Sequence, residues 1–235
     1  MATLTVSKED EKRVKALGFL SNKGTDNFSG RIVTRNGKIT ADQQIAIGEA
    51  AKKFGNGNVT YTTRLTVEVQ GIPYEKIDEF RAFIQEAGLD TGGTGSKVRP
   101  VVSCKGTTCQ YGLIDTFALS EEIHEKFYVG YHGVKLPHKF KIAVGGCPNN
   151  CVKPNLNDLG IIGQMIPNYD EDLCNGCKKC GVVKACPVGA VSVVDGLMEI
   201  DKDKCITEED VSEAAILTLL KTELKDIRFT LVEDG

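Results

Sequence analysis

The first part of the chain changes hydrophobic rhythm several times, and each change predicts an element. Ser7 followed by Asp10 is a capping-box pattern that starts a helix, and Gly18 supplies its stop. Phe28 to Thr34 reads as a strand, and Asn36-Gly37 in "RNGK" turns it. Thr40, with Gln43 three residues on, caps a second helix that carries Ile45, Ala46, Ala50 and Phe54 and stops at Gly55. The cleanest alternation runs from Val59 to Val69 and predicts one long strand. Val59, Tyr61, Thr63, Leu65, Val67 and Val69 would lie on one face; Thr60, Thr62, Arg64, Thr66, Glu68 and Gln70 would lie on the other. A further helix is predicted from Pro73 to Ala87 with Gly88 as its stop, and the glycine-rich "GLDTGGTGSKVRP" reads as a link. Alternating strands and amphipathic helices predict an α+β or α/β unit. The polar face of the long strand is either a solvated surface or, through Arg64, one wall of a cleft that accepts an anion.

Composition narrows the class. The chain has 235 residues, 41% hydrophobic and 26% charged, enough for one large globular domain or two modest ones. A net charge of −3 gives no basic field for nucleic acid. No apolar run approaches the roughly 20 residues of a membrane span. The opening "MATLTVSKEDEKRVK" lacks the apolar core of a signal peptide. The expected setting is therefore the cytoplasm, where thiols stay reduced, and nine cysteines there point to metal or redox chemistry rather than disulfides.

No cysteine precedes Cys104. "SCKGTTCQYG" carries Cys104 and Cys109, and "GGCPNNCVK" carries Cys147 and Cys151. Two pairs joined by a long connection can form a four-thiolate site for zinc or for an iron–sulfur cluster.

The surrounding residues carry a resemblance. "GCPNNC" is similar to the Gly-Cys-Pro-Asn-x-Cys signature of the nitrite and sulfite reductases that join siroheme to a 4Fe-4S cluster. "LPHKFKIAV" resembles the lysine-bearing segment of the sulfite reductases, and "GRIVTRNGKIT" and "VTYTTRLTVEVQGI" resemble the family's ferredoxin-like half-domain. The motifs occur in the family's order over roughly residues 20 to 165. One spacing departs from the pattern: four residues separate Cys104 from Cys109 where the family usually has five.

The resemblance implies an α+β fold. A ferredoxin-like half-domain (1–90) would be followed by a siroheme and 4Fe-4S catalytic half-domain (97–167), with a bacterial ferredoxin-type 4Fe-4S insertion (168–206). A C-terminal helix and strand (207–235) would complete the catalytic domain. It also implies that Cys104, Cys109, Cys147 and Cys151 hold one cluster, with Cys151 bridging a cluster iron to the siroheme iron. Arg31, Arg99, Lys139 and Lys141 would face the substrate anion, and Arg64 would hold siroheme. Guanidinium forks and ammonium groups suit such oxyanions and carboxylates. In a strand, Lys139 and Lys141 would share a face.

"DLCNGCKKCGVVKACPVGAV" resembles the bacterial ferredoxin run, with Cys174, Cys177, Cys180 and Cys186-Pro187. Five residues separate Cys180 from Cys186 where that run has three. The second motif of a two-cluster ferredoxin is reduced to Cys205, and the residues from Thr207 read as a helix start. The expectation is a second 4Fe-4S cluster on Cys174, Cys177, Cys180 and Cys186, with Cys205 as the competing fourth ligand and zinc as the competing metal.

The implied reaction is the six-electron reduction of sulfite to sulfide, with nitrite reduction to ammonia as the alternative. The expected donor is a ferredoxin or a partner subunit. A carrier with two clusters and no siroheme is the reading from another class, although a carrier needs no anion pocket. A zinc-bound structural or nucleic-acid-binding protein fits the acidic balance poorly. The family usually carries two copies of these motifs, whereas this chain has one "TTR", one "HKFK" and one "GCPNNC". A homodimer is therefore expected to complete the cofactor groove; otherwise the C-terminal segment covers it.

Overall fold

The computed structural model describes residues 6–164, 174–201 and 204–205. The described residues fall into two compact units, residues 6–163 and those from 164 to 205. The expected C-terminal helix and strand lie outside the described residues.

The first unit begins with α1 (Lys8–Ala16), capped as expected: Ser7 Oγ accepts the Asp10 N–H at 3.1 Å. Gly18, at φ +100°, ends it in the left-handed region that favours glycine. Next come β1 (Phe19–Ser21), β2 (Asn27–Val33), α2 (Ala41–Phe54), β3 (Val59–Tyr61), β4 (Val67–Pro73), α3 (Ile77–Glu86) and β5 (Asp90–Thr91). The strands form one antiparallel sheet in the order β1-β2-β4-β3, with β5 also pairing β2. Thr40 and Gln43 cap α2 reciprocally. Its buried face is Ile47, Ala50, Ala51 and Phe54, whereas Ile45 is exposed. α2 and α3 cover the sheet. Phe19, Phe54 and Phe80 meet edge to face in the core, at 5.8 Å (Phe19–Phe80) and 6.0 Å (Phe54–Phe80).

The long strand expected from Val59 to Val69 is instead a hairpin. β3 pairs antiparallel with β4, Val59 opposite Val69 and Tyr61 opposite Val67. Two threonines close the turn. Thr62 N–H donates to Thr66 O at 2.9 Å, Thr66 N–H to Thr62 Oγ1 at 3.2 Å, and the two hydroxyls lie 2.7 Å apart. Leu65 turns the corner at φ +59°. The period of two ran on through residues whose hydroxyls satisfy the backbone locally, which is how threonine competes with a sheet ladder. Arg64 therefore sits in a turn, not among threonines on a strand face.

The rest of this unit is a parallel three-stranded sheet, β6 (Val102–Ser103), β7 (Ile142–Gly145) and β8 (Leu159–Ile162), in the order β6-β7-β8. α4 (Thr116–Ile123) packs on it through Leu119 and Ile123 and is capped by Asp115, whose Oδ1 accepts the Ala118 N–H at 3.0 Å. A π-helical turn, His124–Val129, extends α4. Mixed helix and sheet in two successive halves is the α+β organisation expected.

The second unit holds α5 (Gly181–Ala185) and a hairpin of β9 (Val191–Val194) and β10 (Leu197–Ile200). Asp195 and Gly196 turn the hairpin at φ +50° and +82°, the geometry of an Asp-Gly two-residue loop. Among the described residues, no helix is long and apolar enough to cross a membrane.

Candidate metal and anion site

Both cysteine pairs of the first unit grow from the ends of adjacent parallel strands. Cys104 directly follows β6, and Cys147 lies two residues beyond the end of β7. Cys104 N–H donates to Val144 O at 3.1 Å, and the Gly146 N–H donates to Cys104 Sγ at 3.1 Å, so the two loops are tied at the sulfur itself. Cys109 closes a single 3-10 turn, its N–H on Gly106 O at 3.1 Å. Thr116, the first residue of α4, holds this loop: its hydroxyl donates to Cys104 O at 2.8 Å and accepts the Thr107 N–H at 3.2 Å.

The glycines before Cys147 have a packing reason. A Cβ on Gly146 would lie 2.8 Å from Gly106 Cα and 3.4 Å from Cys104 Sγ, and one on Gly145 would lie 3.0 Å from Pro154 Cγ. After Cys147 the chain reverses through Asn150 at φ +54° and Lys153 at φ +48°, leaving Cys151 exposed. Ser103 Oγ and Asn150 Oδ1, each next to a cysteine, are buried with no hydrogen-bond partner among the described residues. Among those residues, no three His, Cys, Asp or Glu side chains close on a point a single metal ion would occupy.

The expected arginines come together. Arg31 lies on β2 directly opposite Glu68 on β4; its Nε and Nη2 donate to Glu68 Oε1 at 2.8 and 2.7 Å. The two side chains are 21% and 16% exposed, so this is a sheltered pair rather than a surface one, with both N–H groups converging on one carboxylate oxygen. Arg64 reaches from the β3–β4 turn across to the other half, donating to Asn157 Oδ1 at 2.9 Å and to Pro100 O at 3.0 Å. Arg31 and Arg99 each donate to the Gly93 carbonyl. Burial, and then the charges of neighbouring arginines, hold the Arg64 guanidinium below its ordinary pKa; burial and Arg31 do the same for Arg99. Asp158 acts on Arg64 in the opposite direction. Arg64 Nε and Arg99 Nε are buried and have no partner among the described residues.

The lysines differ from expectation. β7 starts only at Ile142, and Lys139 and Lys141 flank a single bridge between Phe140 and Val98. The backbone links this segment to Arg99, whose N–H donates to Phe140 O at 2.8 Å, while the Lys141 N–H donates to Asp158 Oδ2 at 2.7 Å. Lys139 is exposed and Lys141 half-buried. Neither is among the charges that act on Arg64 or Arg99. An isolated bridge does not propagate a ladder, so the period-2 argument for a shared face lapses.

Arg99 and the two lysines thus precede the parallel strands, and the cysteines follow them. At most about 18 Å of chain separates Arg99 from Cys104. A group that touched both chemistries would extend along the sheet. Orphaned buried guanidinium N–H donors suit anionic oxygens, and thiolates tied at adjacent strand ends suit iron, so the residues present fit siroheme and a 4Fe-4S cluster.

In the second unit Cys180 precedes α5 and Cys186 follows it. Backbone N–H groups of Gly176 and Met198 lower the pKa of the Cys174 thiol, and those of Val188 to Val191 lower that of Cys186, favouring thiolates. The Ala190 N–H donates to Cys186 Sγ at 3.3 Å. Gly176 is pressed on the hairpin turn: a Cβ there would lie 2.7 Å from Gly196 O. A cavity of about 530 Å³ is lined in part by Cys177, Cys180, Lys178, Lys179 and Lys184. The Cys205 N–H donates to Asp201 O at 3.0 Å.

Three contributors escaped the sequence reading. Glu68 pairs with Arg31 across strands, Asn157 anchors Arg64, and Gly93 joins Arg31 to Arg99. Asn157, close behind the cysteine signature, could have been suspected; the other two depend on strand register and loop path.

Residues 94–221 match the family model of the nitrite and sulphite reductase 4Fe-4S domain, more than half of the chain. The chain belongs to the nitrite and sulphite reductase family. Residues 21–87 match the family's ferredoxin-like half domain. A coenzyme F420-dependent sulfite reductase of Methanocaldococcus jannaschii is 37% identical over 139 residues, covering 59% of this chain and 22% of that relative. One subunit of the anaerobic sulfite reductase of Salmonella typhimurium is 32% identical over 176 residues, covering 68% of this chain and 49% of the relative. This nitrite and sulphite reductase chain therefore spans about half the length of these relatives or less. The crystal structure of dissimilatory sulfite reductase I superposes with a TM-score of 0.60 at 21% identity, covering 77% of this chain and 48% of that one, and it has the same fold.

Proposed function

We propose that this chain carries the anion site and the cluster ligands of a siroheme-dependent sulfite reductase. The observation that carries this reading is the convergence of Arg31, Arg64 and Arg99, two of them with unpartnered buried N–H donors. Glu68 pairs with Arg31, but Arg64 and Arg99 have no carboxylate bonded to them among the described residues, and like charges held together at the expense of solvation call for a further anion. When bound, siroheme and its 4Fe-4S partner would relay the six electrons of the outside donor and supply the iron at which sulfur–oxygen bonds break.

Each side chain has a task in this reading. Cys104, Cys109, Cys147 and Cys151 hold the first cluster, with Cys151 as the ligand shared with siroheme. Arg64 holds siroheme carboxylates. Arg31 and Arg99 bind the substrate oxyanion and offset its charge. Lys139 and Lys141 supply protons as oxygens leave as water, so their ammonium groups turn inward when the anion is bound. Cys174, Cys177, Cys180 and Cys186 hold a second 4Fe-4S cluster that passes electrons inward from a ferredoxin or a partner subunit. Sulfite is preferred to nitrite because of the two sulfite reductase relatives and the "HKFK" segment. The proposed setting is the cytoplasm.

The test is turnover by the reconstituted protein under anaerobic conditions, with a low-potential dye as donor. Sulfide from sulfite, well in excess of ammonia from nitrite, is the expected result; turnover of neither anion would sink the reading. Lys139→Ala and Lys141→Ala should each lower sulfite kcat/KM about tenfold to a hundredfold with cofactor absorption retained, the worth of one charge-assisted contact. Equal kinetics in both variants and the parent would mean the lysines are solvated surface charges.

The single copy of each motif leads us to propose a homodimer in which a second copy of this chain completes the cofactor enclosure. Light scattering on the active holoprotein should give twice the 25.5 kDa of one chain. A fully loaded, fully active monomer would rule this out.

A further inference from the structure

Two of the clustered guanidiniums meet at Gly93. Its carbonyl accepts Nη1–H groups from Arg31, at 3.2 Å, and from Arg99. Its own buried N–H donates to the Tyr128 hydroxyl at 3.2 Å. Gly93 adopts φ +72°, and a Cβ there would lie 3.0 Å from Pro100 Cγ and 3.5 Å from Arg31 Cδ, so the position excludes a side chain that could brace itself. Gly92 is equally confined, since its Cβ would lie 2.6 Å from Tyr128 Oη. The two glycines let the phenol reach the backbone of the loop that carries the arginines.

Tyr128 is built for this contact. It lies in the π-helical turn His124–Val129, an interruption of regular helix of the kind that re-aims a side chain. It is 9% exposed, and its ring lies 4.8 Å from that of His124. Burial raises its pKa above that of an ordinary phenol, so the hydroxyl stays protonated and neutral beside the cationic cluster. The arginines do not depend on Gly93 equally. Arg31 is held by Glu68 as well, whereas among the described residues the Arg99 side chain hydrogen-bonds Gly93 alone.

We propose that Tyr128 is a positioning residue for the anion site, its hydroxyl fixing Gly93 and, through the Gly93 carbonyl, the Arg99 guanidinium. This rests on the reading of the arginine cluster as the anion site. Without the hydroxyl, the buried Gly93 N–H has no acceptor, and the loop relaxes toward one at the expense of its carbonyl's aim.

The test is Tyr128→Phe in the holoenzyme, which keeps the ring and removes the oxygen. Sulfite KM, and the sulfite Kd from calorimetric titration, should both rise about tenfold, with kcat within about twofold. Amide exchange at Gly93 should quicken, and cofactor absorption should be unchanged. In the Arg99→Ala background the same substitution should add little, because its effect runs through Arg99. Unchanged KM and Kd would overturn the proposal. So would a full tenfold effect in the Arg99→Ala background, which would mark a general packing defect. The underlying reading fails separately: if Arg99→Ala alone leaves the sulfite Kd unchanged, the cluster is not the anion site. If Arg99→Ala weakens binding and Tyr128→Phe does not, only the positioning role is lost.

Discussion

Cys151→Ser is expected to fold normally and to lose nearly all sulfite turnover. Cys151 is exposed, between two left-handed residues, Asn150 and Lys153, that set the loop's path without it. Removing its sulfur leaves no cavity among the protein's own side chains, so no loss of packing is expected. The loss should therefore be chemical. A hydroxyl is a harder and poorer ligand for iron than a thiolate, and in the proposed reading Cys151 would be the residue that couples the cluster to siroheme. Paramagnetic resonance should record two uncoupled centres where the parent has a coupled pair. Cys104→Ser should differ, because Cys104 Sγ also accepts the Gly146 N–H and so helps hold the two loops together. Full turnover and unchanged spectra in Cys151→Ser would refute the assignment of the shared ligand.

Arg99→Ala should weaken sulfite binding about tenfold to a hundredfold, the value of one charge-assisted hydrogen bond to an anion. Its effect on stability should be small or even favourable in the absence of the anion. Arg99 is repelled by Arg31, repels Arg64 in turn, and carries an unpartnered buried Nε. Most truncations of a half-buried side chain destabilise; this one removes a repulsion. Added sulfite should raise the Tm of the parent more than that of the variant, since ligand stabilisation grows with the logarithm of its concentration over Kd. Arg99→Lys should recover only part of the affinity, lacking the planar fork. A strong loss of Tm in Arg99→Ala without anion would show that Arg99 serves packing first.

What was legible in the sequence was local. Ser7 and Thr40 as caps, and Gly18 and Gly88 as stops, rest on bonds spanning three or four residues, and all stand in the structure. The long strand from Val59 failed because its alternation is compatible with both a strand and a hairpin, and the deciding contacts, Thr62 with Thr66, use the threonine hydroxyls as well as the backbone. The second helix buries Ile47 instead of Ile45, a rotation set by where the sheet lies. The arginine positions came from the resemblance; their convergence depends on β2 meeting β4 with Arg31 opposite Glu68, and on a glycine loop returning to that edge. Neither is a property of nearby residues. The glycines before Cys147 serve the close approach of two loops far apart in the chain, which no local pattern announces.

The central claim is that one chain joins siroheme to thiolate-held iron beside an arginine-lined anion site. The most direct test is the visible spectrum of the anaerobically purified or reconstituted holoprotein, read with its iron and sulfide content. The account predicts siroheme Soret and far-red bands that shift on adding sulfite, over broad iron–sulfur absorbance. Iron–sulfur absorbance alone after reconstitution with siroheme, or a colourless zinc protein, would contradict it.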